Sequence, residues 1–157
     1  MTSLKIALVG AGLVGRRHAA NVNGASDCVL DAVADPSGDG ANFARSLGVP
    51  HFDSLDALVR SRMPDGVILA TPNHLHVEQA LACIEAGIPV LIEKPVADRL
   101  DQGLALLEAA DRVDAKVLVG HHRRYSAIIA KAIKQIEQGA LGRITAVSVT
   151  ELLYKPD

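Results

Sequence analysis

Short runs of apolar, mostly β-branched residues alternate along this chain with longer segments whose apolar positions recur every three or four residues. Glycine, proline, asparagine and aspartate punctuate the boundaries. The first run, Leu4 to Val9, leads through Gly10, Ala11 and Gly12 into a predicted helix over Leu13 to Val22. A second, Cys28 to Ala34, ends at Asp35 and a turn of Pro36, Ser37, Gly38, Asp39 and Gly40; a short helix is then predicted over Ala41 to Leu47, stopping at Gly48. A weak third strand is expected near Val49 to Phe52. Ser54 is placed to cap a helix over Leu55 to Arg60, because its hydroxyl accepts from an early amide with no partner inside the helix.

Gly66 to Ala70 reads as the fourth strand, and Thr71-Pro72-Asn73 turns into a long helix with Leu75, Ala80, Leu81 and Ile84 on its apolar side, closed by Gly87. Pro89 to Ile92 is the fifth. Asp98 is expected to cap a helix whose Leu100, Leu104, Leu107 and Ala110 recur at i, i+4, i+7 and i+10. Lys116 to Val119 is the sixth strand, and a helix over Ser126 to Gln138 carries Ile129, Ile133 and Ile136 as its buried stripe. Strands separated by helical crossovers pair in parallel, since a parallel connection is too long for a hairpin. The predicted fold class is therefore α/β, a doubly wound parallel sheet. Arg143 to Leu153 breaks the rhythm with one long β-rich stretch and no helix after it. Such a strand is expected to add to another chain, to be disordered, or to belong to a second sheet that is missing.

Composition narrows the function classes. At 49% hydrophobic and 22% charged, a chain of 157 residues has the profile of one soluble domain. A domain of that size buries roughly 70% of its unfolded surface, so its core needs no disulfide or structural metal. Sixteen basic against eighteen acidic side chains leave a charge of −2, without the positive excess that a nucleic-acid partner requires. Cys28 and Cys83 lack C-x-x-C spacing and read as reduced thiols. The longest apolar run, Ile6 to Val14, contains two glycines and is far too short to cross a bilayer, and Arg16 and Arg17 stand where a signal-cleavage site would need small residues. The expected location is the cytoplasm, without a membrane partner.

Gly10-Ala11-Gly12-Leu13-Val14-Gly15 follows a strand and opens a helix, the context that gives a G-x-G-x-x-G match its meaning. Gly10 permits the tight turn, Gly12 lets a pyrophosphate approach the backbone, and Gly15 lets the helix lie close on the sheet. Helix-terminal amides then meet the phosphate charge. An ordinary strand-to-helix turn is the plainer alternative. Asp35 ends the second strand, twenty residues after Gly15, where a carboxylate can accept both hydroxyls of an adenosine ribose. No Arg or Lys occurs from Pro36 to Asn42 to neutralise a 2′-phosphate, which favours NAD over NADP as cofactor. Asp-Pro is also a common turn opening, so Asp35 alone decides little.

Three further loops share that edge of the sheet: Thr71-Pro72-Asn73-His74-Leu75-His76, Glu93-Lys94-Pro95, and Gly120-His121-His122-Arg123-Arg124-Tyr125. With Gly10 to Gly15 and Asp35, their order resembles the Gfo/Idh/MocA oxidoreductases over essentially the whole chain, Glu-Lys-Pro being the most diagnostic element. The resemblance implies that Lys94 is catalytic and lies by the nicotinamide and the substrate hydroxyl, with a cis bond to Pro95 that aims it into the cleft. An ammonium there can orient the hydroxyl oxygen or join a proton relay; a surface lysine before a turn is the plainer alternative. The resemblance also implies that Thr71, Pro72 and Asn73 line the ribose and phosphate side of the cofactor. His76 and Glu93 complete the expected cofactor-binding set, Glu93 in a supporting role. Arg123, Arg124 and Tyr125 either contact cofactor or substrate or form a solvated basic helix start. His74 with His76, and His121 with His122, do not converge as metal ligands, so no metal is expected.

Members of that family are usually more than twice this length, with a second domain on a large, mostly antiparallel sheet that holds the substrate site and a paired Asp and His. Residues 1–122 are accordingly expected to form the dinucleotide-binding Rossmann domain. Residues 123–157 are expected to form a linking helix and the first strand of an otherwise absent α+β substrate domain, Leu153 to Asp157 leading to its next segment. The chain reads as an amino-terminal fragment. The expected parent is an NAD-dependent dehydrogenase acting on a CH–OH group of a sugar, a polyol such as inositol, or a related compound, a homo-oligomer through the second-domain sheet, with the fragment inactive alone. The competing class is a non-catalytic dinucleotide-sensing or protein-interaction module.

Overall fold

The computed structural model describes residues 3–150, which divide into two compact units between Gly120 and His121. In the first unit six strands, β1 (Leu4–Val9), β2 (Cys28–Ala34), β3 (His51–Phe52), β4 (Gly66–Leu69), β5 (Val90–Ile92) and β6 (Val117–Val119), form one sheet. Its order is β3-β2-β1-β4-β5-β6 and every pairing is parallel. The doubly wound fold expected from the sequence is therefore the fold observed. Chain direction across the sheet reverses between β1 and β4, and that switch point opens a crevice beyond their carboxyl ends.

Helices α1 (Leu13–Gly24), α2 (Gly38–Ser46), α3 (Leu55–Ser61), α4 (His76–Glu85) and α5 (Leu100–Arg112) cover the sheet. Strand alternation sorts the core into two layers. Ala7, Val9, Val67 and Leu69 face Leu58 of α3 and Val77 and Ala80 of α4. Leu8, Val33 and Ile68 face Ala19 and Val22 of α1 and Ala44 of α2. All four residues of β4 are buried, as a central parallel strand requires. Removing a buried leucine such as Leu58 costs about 2–5 kcal/mol, so this layering holds the crevice in place.

Several local expectations are corrected. Helix α2 starts at Gly38 rather than Ala41, because Ser37 caps it by accepting from the Gly40 amide at 3.0 Å. Ser54 caps α3 as expected, accepting from the Ala57 amide at 3.1 Å. Asp98 does not cap α5; Arg99 holds that position without a side-chain bond and pairs with Asp101 instead. The leucine stripe of α5 is turned outward: Leu100, Leu104 and Leu107 are exposed, while Leu106 is buried with Gly103 and Ala110 beside it on the inward face. Small residues on that face let α5 lie close to α4, so close approach, and not leucine content, decided its rotation.

The second unit holds a 3-10 turn, His122–Tyr125, and α6 (Ala127–Glu137). Ile129, Ile133 and Ile136 are exposed, so among the described residues the expected buried stripe is not formed. Residues 143–150 are neither helix nor strand. A strand is defined by its ladder, and no strand among the described residues pairs with this run; the rest of the run and the segment to Asp157 lie outside the described residues. Among the described residues no helix is long and apolar enough to cross a membrane.

Candidate functional site

Four neighbouring strands end in register at one edge of the sheet. The Gly10 amide donates to Ala34, that of Ala70 to Val9, that of Glu93 to Leu69 and that of Gly120 to Ile92, so the loops that follow are held side by side. At the switch point between β1 and β4 lies a cleft of about 600 Å³ lined by Gly10, Gly12, Leu13, Val14, Asp35 and Thr71, with Pro72, Leu75 and Gln79 closing its far wall.

The glycine loop owes its shape to two close approaches. Gly10 has φ +93, and a Cβ there would stand 2.6 Å from the Ala70 carbonyl oxygen. A Cβ on Gly15 would fall on the carbonyl oxygen of Gly10. Gly12 differs, because nothing lies within 4 Å of its Cβ position: the space over it is open cleft. It is also the N-cap of α1, whose terminus has no side-chain cap and no acidic residue in its first turn. Uncapped amides, a positive helix end and open space above a glycine are the features that a diphosphate requires. The residues present therefore fit a dinucleotide.

Asp35 faces the same cleft, already partly engaged. Its Oδ2 accepts from the Ala11 amide at 2.7 Å, and its Oδ1 accepts from the Ser37 amide at 2.9 Å and the Ser37 hydroxyl at 2.5 Å. Burial opposes its ionisation, but the bonds from Ser37 and Ala11 outweigh burial and hold its carboxyl below the ordinary value. Oδ1 already accepts twice, whereas Oδ2 keeps a second lone pair, so acceptor capacity for a sugar hydroxyl remains there. Arg16, not anticipated for this region, reaches across from α1, bonding Asp39 at 2.6 Å and stacking 4.6 Å from the Phe43 ring. That pairing places a cation beside the start of α2 that the local sequence from Pro36 to Asn42 does not reveal.

On the β4 side, the Thr71 hydroxyl donates to Gln79 Oε1 at 2.7 Å, which stiffens the cleft wall. Asn73 is exposed at the start of the 3-10 turn Asn73–Leu75 and does not line the cleft. His76 is 1% exposed and does not line the cleft. Both ring nitrogens are occupied: Nε2 lies 2.9 Å from the Thr71 carbonyl oxygen and Nδ1 lies 2.8 Å from that of Pro95. Carbonyls only accept, so a ring N–H donates at whichever of the two carries the hydrogen.

Lys94 is exposed at the carboxyl edge, its bond to Pro95 is cis, and its amide donates to Glu93 Oε2 at 3.1 Å. Glu93 Oε1 lies 2.9 Å from His18 Nε2. Burial raises the Glu93 pKa, but His18 and the Lys94 amide outweigh it and hold the carboxyl below its ordinary value. Glu93 is thus committed to the protein and supports Lys94, and it does not line the cleft. Arg123 stands in the His122–Tyr125 turn of the second unit. Sequence reading missed His18 and Gln79, whose one available signal is a polar side chain a single turn beyond Gly15 and beyond His76.

Residues 4–121 match the model of the Gfo/Idh/MocA oxidoreductase family, NAD-binding Rossmann fold. The chain belongs to this family. It is 37% identical over 146 residues to inositol 2-dehydrogenase 4 of Saccharopolyspora erythraea, covering 89% of this chain and 43% of that protein. It is 33% identical over 137 residues to the 2,7-anhydro-N-acetylneuraminate hydratase of Escherichia coli, covering 87% and 37%. Among solved structures, scyllo-inositol dehydrogenase from Lactobacillus casei with bound NAD(H) and scyllo-inositol superposes with a TM-score of 0.87 at 26% identity, over 92% of this chain and 44% of that one. The chain thus spans about two-fifths of the length of these Gfo/Idh/MocA relatives. Its own part is their NAD-binding Rossmann portion.

Proposed function

We propose that this chain is the cofactor-binding part of an NAD-dependent oxidoreductase acting on a CH–OH group of a sugar, a polyol such as inositol, or a related compound. The observation that carries the reading is the open space over Gly12, at the uncapped start of α1, in the same cleft as the Asp35 carboxylate. Amides of the first turn of α1 bind the diphosphate, and Asp35 accepts from the adenosine ribose. An ionised Asp35 disfavours a 2′-phosphate, and Arg16, already paired with Asp39, does not reverse that preference. Thr71 and Pro72 line the wall on the ribose and phosphate side of the cofactor, and Asn73 lies beside them at the rim.

When bound, the nicotinamide supplies the hydride acceptor. Lys94 orients the substrate hydroxyl through its ammonium and joins the relay that takes the hydroxyl proton. Glu93 keeps the Lys94 backbone in place. A second domain completes the substrate wall, and the whole protein assembles as a cytoplasmic homo-oligomer through that domain's sheet.

Calorimetric titration of the 157-residue chain with NAD and NADP tests the reading, followed by a polyol and sugar screen on the longest gene product. NAD is expected to bind more tightly than NADP, and the chain alone to turn over neither inositol nor a hexose. No affinity for either dinucleotide at millimolar concentration would overturn the proposal.

A further inference from the structure

Ala11 is held from both sides by groups of opposite charge. Its amide donates to Asp35 Oδ2 at 2.7 Å, and its carbonyl accepts from Arg16 Nε at 2.9 Å. The guanidinium is thereby anchored to the same residue as the carboxylate that faces the cleft. The start of α2 closes in on them. A Cβ on Gly40 would stand 2.7 Å from Asp35 Oδ1, and Asp39, next to Gly40, accepts from Arg16 Nη2 at 2.6 Å. Phe43, one turn further along α2, lies with its ring 4.6 Å from the guanidinium carbon.

The Asp39 side chain is 81% exposed, and an ion pair so exposed contributes little to stability. Its placement matters for charge instead. Two carboxylates, Asp35 and Asp39, stand against one guanidinium, so this corner of the cleft repels an anion. With a neutral residue at 39, the bond to Ala11 and the stack on Phe43 still hold the guanidinium, and Nη2 is released from its carboxylate.

We infer that Asp39 is a specificity-determining residue: by engaging Arg16 it withholds the guanidinium from a phosphate on the 2′-oxygen of the adenosine ribose, and so turns the cleft from NADP toward NAD. The inference rests on the reading of the cleft as a dinucleotide site with Asp35 at that ribose. A ribose bonded to Asp35 Oδ2 stands beside Ala11, so a phosphate on its 2′-oxygen comes within reach of the guanidinium anchored there. A guanidinium pairs well with phosphate when its N–H groups are open, but here Asp39 takes Nη2. Asp35 opposes the phosphate by its own charge; Asp39 acts through Arg16.

Calorimetric titrations with NAD and with NADP test this in the 157-residue chain, in Asp39→Asn, in Arg16→Gln and in the double variant. In Asp39→Asn, NADP affinity is expected to rise about tenfold, with NAD affinity within about threefold of wild type. Arg16→Gln is expected to cancel that gain, the double variant binding NADP within about twofold of Arg16→Gln alone. This dependence separates release of the guanidinium from simple loss of a negative charge, which would help NADP whether or not Arg16 is present. The Arg16 Nε–H resonance of Asp39→Asn is expected to shift with NADP and to stay in place with NAD, which keeps the test intact where an Arg16 variant fails to fold.

An unchanged NADP affinity in Asp39→Asn, or a gain that persists in the double variant, would overturn the inference and leave the cofactor reading standing on NAD binding by wild type. A loss of NAD affinity beyond about tenfold in Asp39→Asn would place Asp39 on the nucleotide itself and also overturn it. Wild type and all three variants binding neither dinucleotide would remove the cofactor reading and the inference together.

Discussion

His18 Nε2 and Glu93 Oε1 lie 2.9 Å apart, joining the first turns of α1 to the loop after β5 across 75 residues of sequence. The pair is mostly buried, and a Cβ on Gly120 would stand 2.8 Å from the same carboxylate oxygen, so the loop after β6 closes over it. Glu93→Leu removes acceptors from both His18 and the Lys94 amide and is expected to cost about 1–3 kcal/mol, whereas Glu93→Gln, which keeps an acceptor, costs less. Urea unfolding of the two variants checks this; a leucine variant as stable as wild type would show that the bond holds nothing.

The same carboxylates set the acid limb of stability. Glu93, Asp35 and Asp31, the last bonded twice by Arg62 at 2.8 Å, all have folded pKa values below their ordinary 4.5 and 3.8. Depressed folded values mean that their contribution is complete above the unfolded values and is lost as pH falls through the folded ones. Melting temperature is therefore expected to hold level from neutral pH to about pH 5 and to fall below it. A melting temperature that rises on acidification to pH 3 would contradict the assigned bonds.

Gly12 and Gly15 separate binding from folding. Gly15→Ala drives a methyl group onto the Gly10 carbonyl, so backbone must move, and the expected loss is about 1–3 kcal/mol. Gly12→Ala meets no protein atom within 4 Å and is expected to melt like wild type. Its methyl group occupies the cleft, and NAD affinity falls by about tenfold or more. Thermal melts beside calorimetric titration resolve the two effects.

Cys83 is fully buried, and burial pushes its thiol up to about 12, while Cys28 is half-buried. Thiolate is the reacting form, so a disulfide reagent at pH 8 is expected to label Cys28 in the native chain and Cys83 only after denaturant is added. Equal labelling rates under native conditions would show that the α4 layer of the core opens readily.

What was legible in the sequence was what local chemistry determines. The apolar run of β2 and the spacing from Gly10 to Gly15 and Asp35 carry their own structure, because turn, helix start and strand end all lie within a few residues of each motif. Helix α5 shows where this stops. Its leucines and its Gly103, Leu106 and Ala110 row both satisfy helical spacing, and only packing against α4 chooses between them. The site divides in the same way. Asp35 was readable as a cleft carboxylate, but its engagement by Ala11, the reach of Arg16 to Asp39 and the two carbonyls facing His76 depend on contacts between segments that no local pattern encodes.

Asp35 offers the sharpest test of cofactor choice. The Ala11 amide, the Ser37 amide and the Ser37 hydroxyl all donate to its carboxylate. Asparagine can turn only one acceptor toward them, so in Asp35→Asn an amide nitrogen confronts either the Ala11 or the Ser37 N–H, at an expected cost of about 1–2 kcal/mol in stability. The charge that opposes a 2′-phosphate is lost as well. NAD affinity is expected to fall by about tenfold as a ribose acceptor disappears, while NADP affinity falls less or rises, narrowing the preference. Paired titrations of wild type and variant with both dinucleotides measure the ratio. An unchanged ratio would mean that the carboxylate serves the Ala11 turn alone and that cofactor preference is set elsewhere, Arg16 beside Asp39 being the cation to examine next.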